Sequence, residues 1–231
     1  MRRSIAPTLV LFLATTVFLA SGTLTCPDRS AAEERIGLPE IEPGKPGSLS
    51  DLLYKRRSVR RFGSGQMELE EAARLLFAAQ GITRKDRFRT VPSAGALYPL
   101  EISLVAGKID GIDPGVYHYR PGEHDLVRLR SGDMREEIAR AALGQMWISE
   151  AQAVLVMGAE YERTTSKYTE HGRRYVHVEA GCAAQSVSLQ AVDLGLGTTV
   201  VGAFQEERVA DVLKLQGETV PLLLLPVGRL P

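Results

Sequence analysis

Apolar residues recur along this chain with two periods, which predict both helices and strands. Apolar positions three or four residues apart predict helices that begin at Ser48 and cover residues 69–80, 134–143, 176–194 and 205–215. Alternating or unbroken apolar residues predict strands over residues 101–106, 115–119, 125–130, 153–158 and 220–227.

The pattern within single strands predicts their burial. Residues 101–106 alternate polar and apolar, which indicates a half-buried strand, whereas residues 153–158 are continuously apolar, which indicates burial on both faces. Pro221 and Pro226 interrupt the last strand, so we expect it at a sheet edge. A turn over residues 120–124 predicts a hairpin between its neighbouring strands.

Small residues lie between two prolines just before the strand over residues 101–106. Residues 93–96 carry little side-chain bulk, so their backbone amides can approach a flat or anionic ligand closely. Pro92 and Pro99 restrict the backbone and keep the loop out of a helix. An ordinary tight connection explains the same residues, and on this stretch alone that alternative stays open.

A basic run, residues 55–62, follows the first predicted helix. Such runs are usually solvated surface. Here Ser58 stands among Arg56, Arg57 and Arg60, a combination that suits a phosphate group, because each charge-assisted hydrogen bond contributes roughly 1.5–3 kcal/mol.

Size and composition narrow the possible classes of protein. A chain of 231 residues with 44% hydrophobic residues can bury one core, which we expect over residues 48–231. Zero formal net charge and 6% aromatic residues argue against a nucleic-acid partner. The two cysteines, Cys26 and Cys182, exclude a disulfide framework, and no His/Cys cluster has metal-ligand spacing.

The N-terminal residues predict export. Arg2 and Arg3 precede an apolar run over residues 5–20, which is typical of a signal peptide covering residues 1–25. An uncleaved membrane anchor is the alternative. A Pro/Gly-rich linker follows over residues 26–47, and we expect a periplasmic or extracellular protein. The arginine pair raises the hypothesis of twin-arginine export.

The sequence Pro-Ser-Ala-Gly-Ala-Leu-Tyr-Pro at 92–99, followed by a strand, resembles the flavin loop of the nitroreductase-like FMN oxidoreductases. It is most similar to the SagB-type branch, the azoline dehydrogenases of thiazole/oxazole peptide biosynthesis, and the resemblance covers residues 48–231. It implies an α+β, nitroreductase-like fold, with a central mixed β-sheet flanked by helices. It also implies bound FMN and a homodimer in which both protomers build each flavin site.

The resemblance assigns residues to the cofactor. The Arg-x-Ser run would hold the FMN phosphate, the loop after Pro92 would reach the neighbour's flavin, and Gln145 would hydrogen-bond the pyrimidine edge. A backbone N–H near Gly202 would donate toward flavin N5, and Arg229 would add a late phosphate contact, although the chain stops before the C-terminal extension of many nitroreductases. The implied FMN-binding residues are Arg56, Arg57, Ser58, Arg60, Pro92, Ser93, Ala94, Gly95, Gln145, Val200, Val201, Gly202, Ala203 and Arg229.

The pair Lys167-Tyr168 resembles the catalytic Lys-Tyr pair of the azoline dehydrogenases. Oxidising an azoline requires hydride transfer to flavin N5 and removal of a proton from the neighbouring carbon. A lysine can be that base only if its pKa falls from about 10.4, and Tyr168 could orient substrate or relay the proton. Sequence neighbours point to different faces of a helix or strand, so both reaching one site requires an irregular backbone.

These observations predict an exported FMN-dependent oxidoreductase that works by a ping-pong cycle. Its substrate is a small molecule or a peptide. Because no Gly-rich Rossmann fingerprint is present, NAD(P)H would visit the same pocket as the substrate. The alternatives are a flavin-binding redox sensor or storage module without turnover, and a family member that has lost its cofactor.

Overall fold

The computed structural model describes residues 38–83, 88–215 and 217–231. The proposed signal peptide, the arginine pair, Cys26 and the linker as far as residue 37 lie outside the described residues, so those expectations stay predictions. No helix in the described ranges is long and apolar enough to cross a bilayer.

The described part of the chain forms six α-helices, two short 3-10 helices (Ala94–Ala96 and Met146–Glu150) and six strands. The helices are α1 (Leu49–Lys55), α2 (Leu69–Gln80), α3 (Arg135–Ala141), α4 (Glu162–Tyr168), α5 (Glu170–Asp193) and α6 (Glu206–Leu213). The strands are β1 (Leu100–Ala106), β2 (Gly115–Arg120), β3 (Asp125–Ser131), β4 (Ala153–Ala159), β5 (Leu196–Thr198) and β6 (Val220–Arg229).

The first two helices begin where the sequence predicts. Ser48 caps α1, and its hydroxyl accepts a hydrogen bond from the Asp51 amide at 3.3 Å. At the start of α2, Glu68 and Glu71 form a reciprocal capping box. The apolar stripe predicted for α1 is largely on the surface, with Leu49 63% and Leu53 51% exposed.

The strands form one sheet in the order β3-β2-β1-β4-β6-β5, with every strand pair antiparallel. Parallel pairing within the described residues is confined to two isolated bridges, Ser58 with Thr198 and Met67 with Ile109. The resemblance implied a mixed sheet. In the described residues every pair of strands is antiparallel, and parallel pairing occurs only at these two bridges. The predicted hairpin is confirmed as β2–β3.

Helices cover both faces of the sheet, which gives the predicted α+β architecture three layers. Helices α2 and α5 pack on one face, and α3 and α6 pack on the other. Strand β1 is buried on both faces, so the prediction of a half-buried strand is wrong: Ser103 and Val105 face the α3/α6 side and are covered there. Strand β4 is buried on both faces, as predicted.

The prediction that the last strand lies at an edge is also wrong, because β6 pairs with β4 and with β5. The Leu224 N–H donates to the Val201 carbonyl on the β5 side, and by strand alternation the nitrogen of Pro226 faces the same side. Strand β5 has ended there, since its last residue, Thr198, pairs with Val227. The missing N–H of Pro226 therefore breaks no pair of the β5–β6 ladder.

Helix α5 begins at Glu170, six residues before the predicted start. Thr169 has a φ of +48° and separates α4 from α5. Residues 170–175 are mostly polar, so their sequence lacks the apolar period that marks the rest of the helix. Cys182 lies within α5, as predicted.

Candidate active site

The basic run lies beside the segment that follows β5. Ser58 forms a parallel bridge with Thr198, and the Val59 amide donates to the Thr198 carbonyl at 2.9 Å. The two stretches that the sequence assigns to the phosphate and to the ring of one ligand are thus adjacent in one chain. We use the name basic half-site for eight of the residues that the resemblance assigns to the cofactor. They are Arg56, Arg57, Ser58, Arg60, Gln145, Val200, Gly202 and Ala203.

The arginines of the basic half-site are available for an anion. Arg57 donates from Nη1 to the Tyr54 and Arg56 carbonyls at 2.8 and 2.7 Å, which places its guanidinium at the C-terminal end of α1. The Arg60 guanidinium lies 6.0 Å from the centre of the Trp147 ring. Arg56, Arg57 and Arg60 form no ion pair with a carboxylate among the described residues.

The segment after β5 presents open backbone. Val200 is 45% exposed, and Gly202 has no atom within 4 Å of the position that a Cβ would occupy. Val201 is different: it is buried, and its N–H and carbonyl both pair with Leu224, so it offers a ligand neither group. Gln145 donates its amide to the Ala203 carbonyl at 3.1 Å, which leaves the amide oxygen for a ligand.

A cleft of about 610 Å³ opens beside this segment. Val200, Gly202 and Phe204 line one side, and residues of α5, including His177 and Gly181, line the other. The sequence did not single out this wall. It also contains Tyr161 and Arg173: the Tyr161 hydroxyl hydrogen-bonds His177 Nε2, and the Arg173 guanidinium lies 4.0 Å from the Tyr161 ring centre. Burial raises the pKa of Tyr161.

The loop over residues 92–96 meets the Lys-Tyr pair at Gly95. Gly95 has a φ of +63°, and a Cβ there would lie 2.7 Å from the Tyr168 hydroxyl and 3.1 Å from Lys167 Nζ. Lys167 and Tyr168, which are adjacent in the sequence, therefore both reach Gly95 from the last turn of α4, immediately before Thr169. The sequence argument that an irregular backbone is needed is therefore wrong, because Lys167 and Tyr168 both belong to α4 and the irregular residue, Thr169, follows them. We call Pro92, Ser93, Ala94, Gly95, Lys167 and Tyr168 the Lys–Tyr half-site.

The two half-sites contact opposite sides of α5. Glu179 faces α2, since its carboxylate accepts a hydrogen bond from Gln80 Nε2 at 3.4 Å, and it is near the loop, since Ser93 is among the groups that lower its pKa. His177 and Gly181, each about 200° around the helix from Glu179, line the cleft beside Val200. One chain thus presents the two half-sites on different surfaces, and the structure does not bring all the assigned residues together.

Arg229 lies in neither half-site. Its guanidinium forms two hydrogen bonds to Glu71, at 2.6 and 2.9 Å, and a third to the Gln66 carbonyl at 3.0 Å. Glu71 is the residue that completes the capping box of α2. This arrangement argues against the predicted phosphate contact, because all the observed bonds tie the end of β6 to the start of α2.

Replacing Arg229 by Met is therefore expected to lower the free energy of unfolding by about 1.5–3 kcal/mol, the usual contribution of a hydrogen bond to a charged group. Urea denaturation measures this loss, and the affinity for FMN should stay within about twofold of the wild-type value. An affinity loss without a loss of stability would restore Arg229 to the phosphate site.

Glu179 is the one carboxyl group in the described part of the chain whose side chain is buried between the loop and α2. Burial raises its pKa above the usual 4.5, against the hydrogen bonds from Ser93 and Gln80 and the charge of Arg89, which favour ionisation. The sequence carried a signal for it: Glu179 is three residues after Val176 and four before Ala183, on the buried stripe of α5.

This raised pKa makes stability depend on pH. The folded state holds the Glu179 proton to a higher pH than the unfolded state, so the stability of wild type should fall, relative to Glu179→Gln, as the pH rises above 4.5. The measurement is the difference in free energy of unfolding between the two proteins from about pH 4 to pH 8. The exposed Glu207→Gln is the control, and a flat difference for Glu179→Gln would contradict the assignment.

No group of three His, Cys, Asp or Glu residues in the described ranges is close enough to hold a metal ion.

Comparison with known proteins agrees with this architecture. The Nitroreductase family profile matches residues 53–229. The chain is 49% identical over 194 residues to MJ1384 of Methanocaldococcus jannaschii, whose name assigns it to the nitroreductases; the match covers 84% of this chain and 96% of that protein.

Two further likenesses are more distant. The Escherichia coli microcin B17-processing protein McbC is 28% identical over 142 residues, covering 59% of this chain and 52% of that protein. The NADPH:FMN oxidoreductase of Vibrio harveyi, solved with NAD+, has the same fold, with a TM-score of 0.55, 19% identity, and coverage of 78% of this chain and 67% of that one. The profile match and the similarity to MJ1384 together show that the chain belongs to the nitroreductase family of oxidoreductases.

Proposed function

We propose that this chain is an FMN-dependent oxidoreductase that works by a ping-pong cycle. The observation that carries the proposal is the contact between the Arg-Ser run and the end of β5, through Ser58 and Thr198, which places the run beside the exposed segment that follows. Membership of a family whose members generally bind FMN supports it. Bound FMN would accept and return a hydride at N5.

The residues of the basic half-site fit this cofactor. Arg56, Arg57 and Arg60 supply cationic donors for a phosphate, and the Ser58 hydroxyl is exposed among them. The free space over Gly202 lets a flat ring approach the backbone N–H groups there. Such donors stabilise negative charge on a ligand when they point at it.

We infer that the functional unit is a homodimer with shared sites. Within one chain the Lys–Tyr half-site and the basic half-site contact opposite sides of α5, so a second copy could supply the missing half to each. The outer side of α5 carries an exposed Val178 and an open position at Gly181, which suits close helix approach.

Lys167 and Tyr168 are the proposed proton-handling groups. The Tyr168 hydroxyl and Lys167 Nζ converge on Gly95, so both can reach a substrate held against that loop. Lys167 is exposed in the isolated chain, and a role as base therefore requires a ligand or partner that removes water from it. NAD(P)H would act as a hydride donor in the same pocket as the substrate.

The substrate proposals follow from the two kinds of relative. Similarity to MJ1384 over most of both chains favours a small nitro or quinone substrate. Similarity to McbC, together with the Lys-Tyr pair, favours azoline oxidation in a peptide, the SagB-type activity.

FMN uptake tests the first part of the proposal. Purified apoprotein should quench FMN fluorescence with a saturable curve, and NADH or NADPH should bleach the bound flavin without oxygen. A folded protein that takes up no FMN would sink the proposal.

Mixing two inactive variants tests the shared site. One variant lacks Lys167 and Tyr168 (both to Ala), and the other lacks Arg56 and Arg60 (both to Gln). In a randomly mixed dimer with shared sites, half the molecules carry one intact site, so about one quarter of wild-type activity should return. If each site lies within one chain, no activity returns.

We also propose that the protein is exported, which the charged and apolar residues at 1–20 support. Cell fractionation with an N-terminal deletion as the comparison tests this.

A further inference from the structure

One arginine side chain joins the loop that precedes β1 to the helix that carries Lys167 and Tyr168. Arg163 is the second residue of α4, and its Nη1 donates to the Tyr98 carbonyl at 3.1 Å. Tyr98 is the last residue of the loop before Pro99 and β1. Of the described residues of α4, Arg163 alone makes a side-chain hydrogen bond to this loop. The loop and the helix are therefore tied together at one carbonyl group.

Two carboxylates hold the Arg163 guanidinium in place. Its Nη2 pairs with Glu101 Oε1 at 2.5 Å, and its Nε pairs with Glu160 Oε2 at 2.8 Å. Glu101 belongs to β1, and Glu160 directly follows β4, the strand that pairs with β1. The Glu160 amide also donates to the Pro99 carbonyl at 3.0 Å. Because three nitrogen atoms of one planar group each have a partner, those partners determine its orientation.

The Tyr98 carbonyl needs this support because the backbone around it is unusual. Tyr98 has a φ of +48°, which non-glycine residues rarely adopt. Its amide donates to the Ser93 hydroxyl oxygen at 2.9 Å, which closes the loop on itself. Gly95 lies inside the closed loop, at the point where the Tyr168 hydroxyl and Lys167 Nζ converge. A change in the conformation of Tyr98 would therefore move that point.

Helix geometry places Arg163 and Lys167 on the same side of α4. The two residues are four apart, so their side chains lie one above the other on one face of the helix. Arg163 contacts the end of the loop from the first turn of α4, and Lys167 approaches Gly95 from the last turn. A rotation of α4 that broke the Arg163 hydrogen bond would thus carry Lys167 away from Gly95.

We propose that Arg163 is a positioning residue that fixes α4 against the loop through the Tyr98 carbonyl. It thereby sets the distance between Gly95 and the Lys167–Tyr168 pair. Its own nitrogen atoms are committed to protein partners, so it acts through that pair. The catalytic part of this inference rests on the function proposed above, whereas the structural part does not.

Amide exchange in the FMN-free full-length protein tests the structural part. Arg163→Lys keeps the positive charge but has one ammonium group for three partners, so the loop should open more often. The Tyr98 amide should then exchange about 10-fold faster, the effect of losing one hydrogen bond. Glu101→Gln keeps the shape of the side chain and weakens the pairing of Nη2, so it should raise the same rate by a smaller factor.

Two comparisons make the exchange result specific. The amides of β1 and β4 should keep their wild-type rates, which separates a local opening from a general loss of stability. Arg140→Lys changes an arginine whose ion pair lies within α3, and it should leave the Tyr98 rate unchanged. Exchange of Tyr98 at the wild-type rate in both Arg163→Lys and Glu101→Gln, or an equal rise at every amide, would overturn the inference.

Turnover of the FMN-loaded protein tests the catalytic part. Arg163→Lys should lower kcat by about 10-fold or more, with the FMN dissociation constant within about twofold of wild type. In a Lys167→Met background the same substitution should cause a smaller further loss, because one of the groups that it positions is gone. Equal factors in the two backgrounds would overturn the catalytic part. If wild type fails to bind FMN, the proposed function fails, but amide exchange still decides whether Arg163 ties α4 to the loop.

Discussion

Replacing Lys167 by Met, or Tyr168 by Phe, is expected to lower kcat by about 10²- to 10⁴-fold, the usual loss when a general acid or base is removed. The physical reason is that both polar groups meet at Gly95, where the Tyr168 hydroxyl and Lys167 Nζ are the two nearest atoms to the glycine's Cβ position. The measurement is turnover with each substrate that the wild-type protein oxidises or reduces.

The same variants should bind FMN as tightly as wild type, because neither residue belongs to the basic half-site. Lys108→Met, at an exposed lysine away from the loop, is the matched control and should keep full activity. This pair of measurements also separates an enzyme from a redox sensor. Variants that bleach and reoxidise at the wild-type rate would remove Lys167 and Tyr168 from the chemistry and favour the sensor.

Replacing both Arg56 and Arg60 by Gln is expected to weaken FMN binding by about 10²- to 10⁴-fold. Each lost charge-assisted hydrogen bond corresponds to about 1.5–3 kcal/mol, and a tenfold change in affinity corresponds to about 1.4 kcal/mol. Fluorescence titration measures the dissociation constant. Because their charges have no carboxylate partner among the described residues, stability should change little.

Riboflavin, which lacks the phosphate, makes this test specific. Its affinity should be nearly the same in wild type and in the double variant, since only the phosphate contact has been removed. Arg74→Gln with Arg128→Gln, two exposed arginines on α2 and β3, is the control for a general loss of positive charge. Equal losses of affinity for FMN and riboflavin would mean that the arginines do not bind the phosphate.

The sequence predicted those features of the fold that are determined by residues close together in the chain. The capping serine of α1, the tight hairpin and the fully apolar β4 each follow from residues within one segment. The burial of a strand and its position in the sheet depend on other segments. Whether Ser103 is covered depends on α3 and α6 packing on its face, and the interior place of β6 depends on where β5 ends.

The site was partly predictable for the same reason. The Arg-Ser run, Gly95 and the Lys-Tyr pair stand out as short motifs. Arg229 looked free because its partner, Glu71, is 158 residues earlier in the chain. Helix α4 was not predicted, since Thr-Thr-Ser lacks both helix propensity and an apolar period. Tyr161 and His177, 16 residues apart, meet only after α4 and α5 fold back on each other.

The placement of the two half-sites across α5 has a consequence for how such a protein behaves at low abundance. If each working centre needs two copies, the rate per molecule declines on dilution, as pairs separate into inert single chains. A damaged copy produced alongside the intact one also disables part of the intact population. Concentration would then act as a control on this chemistry, without any regulator binding to it.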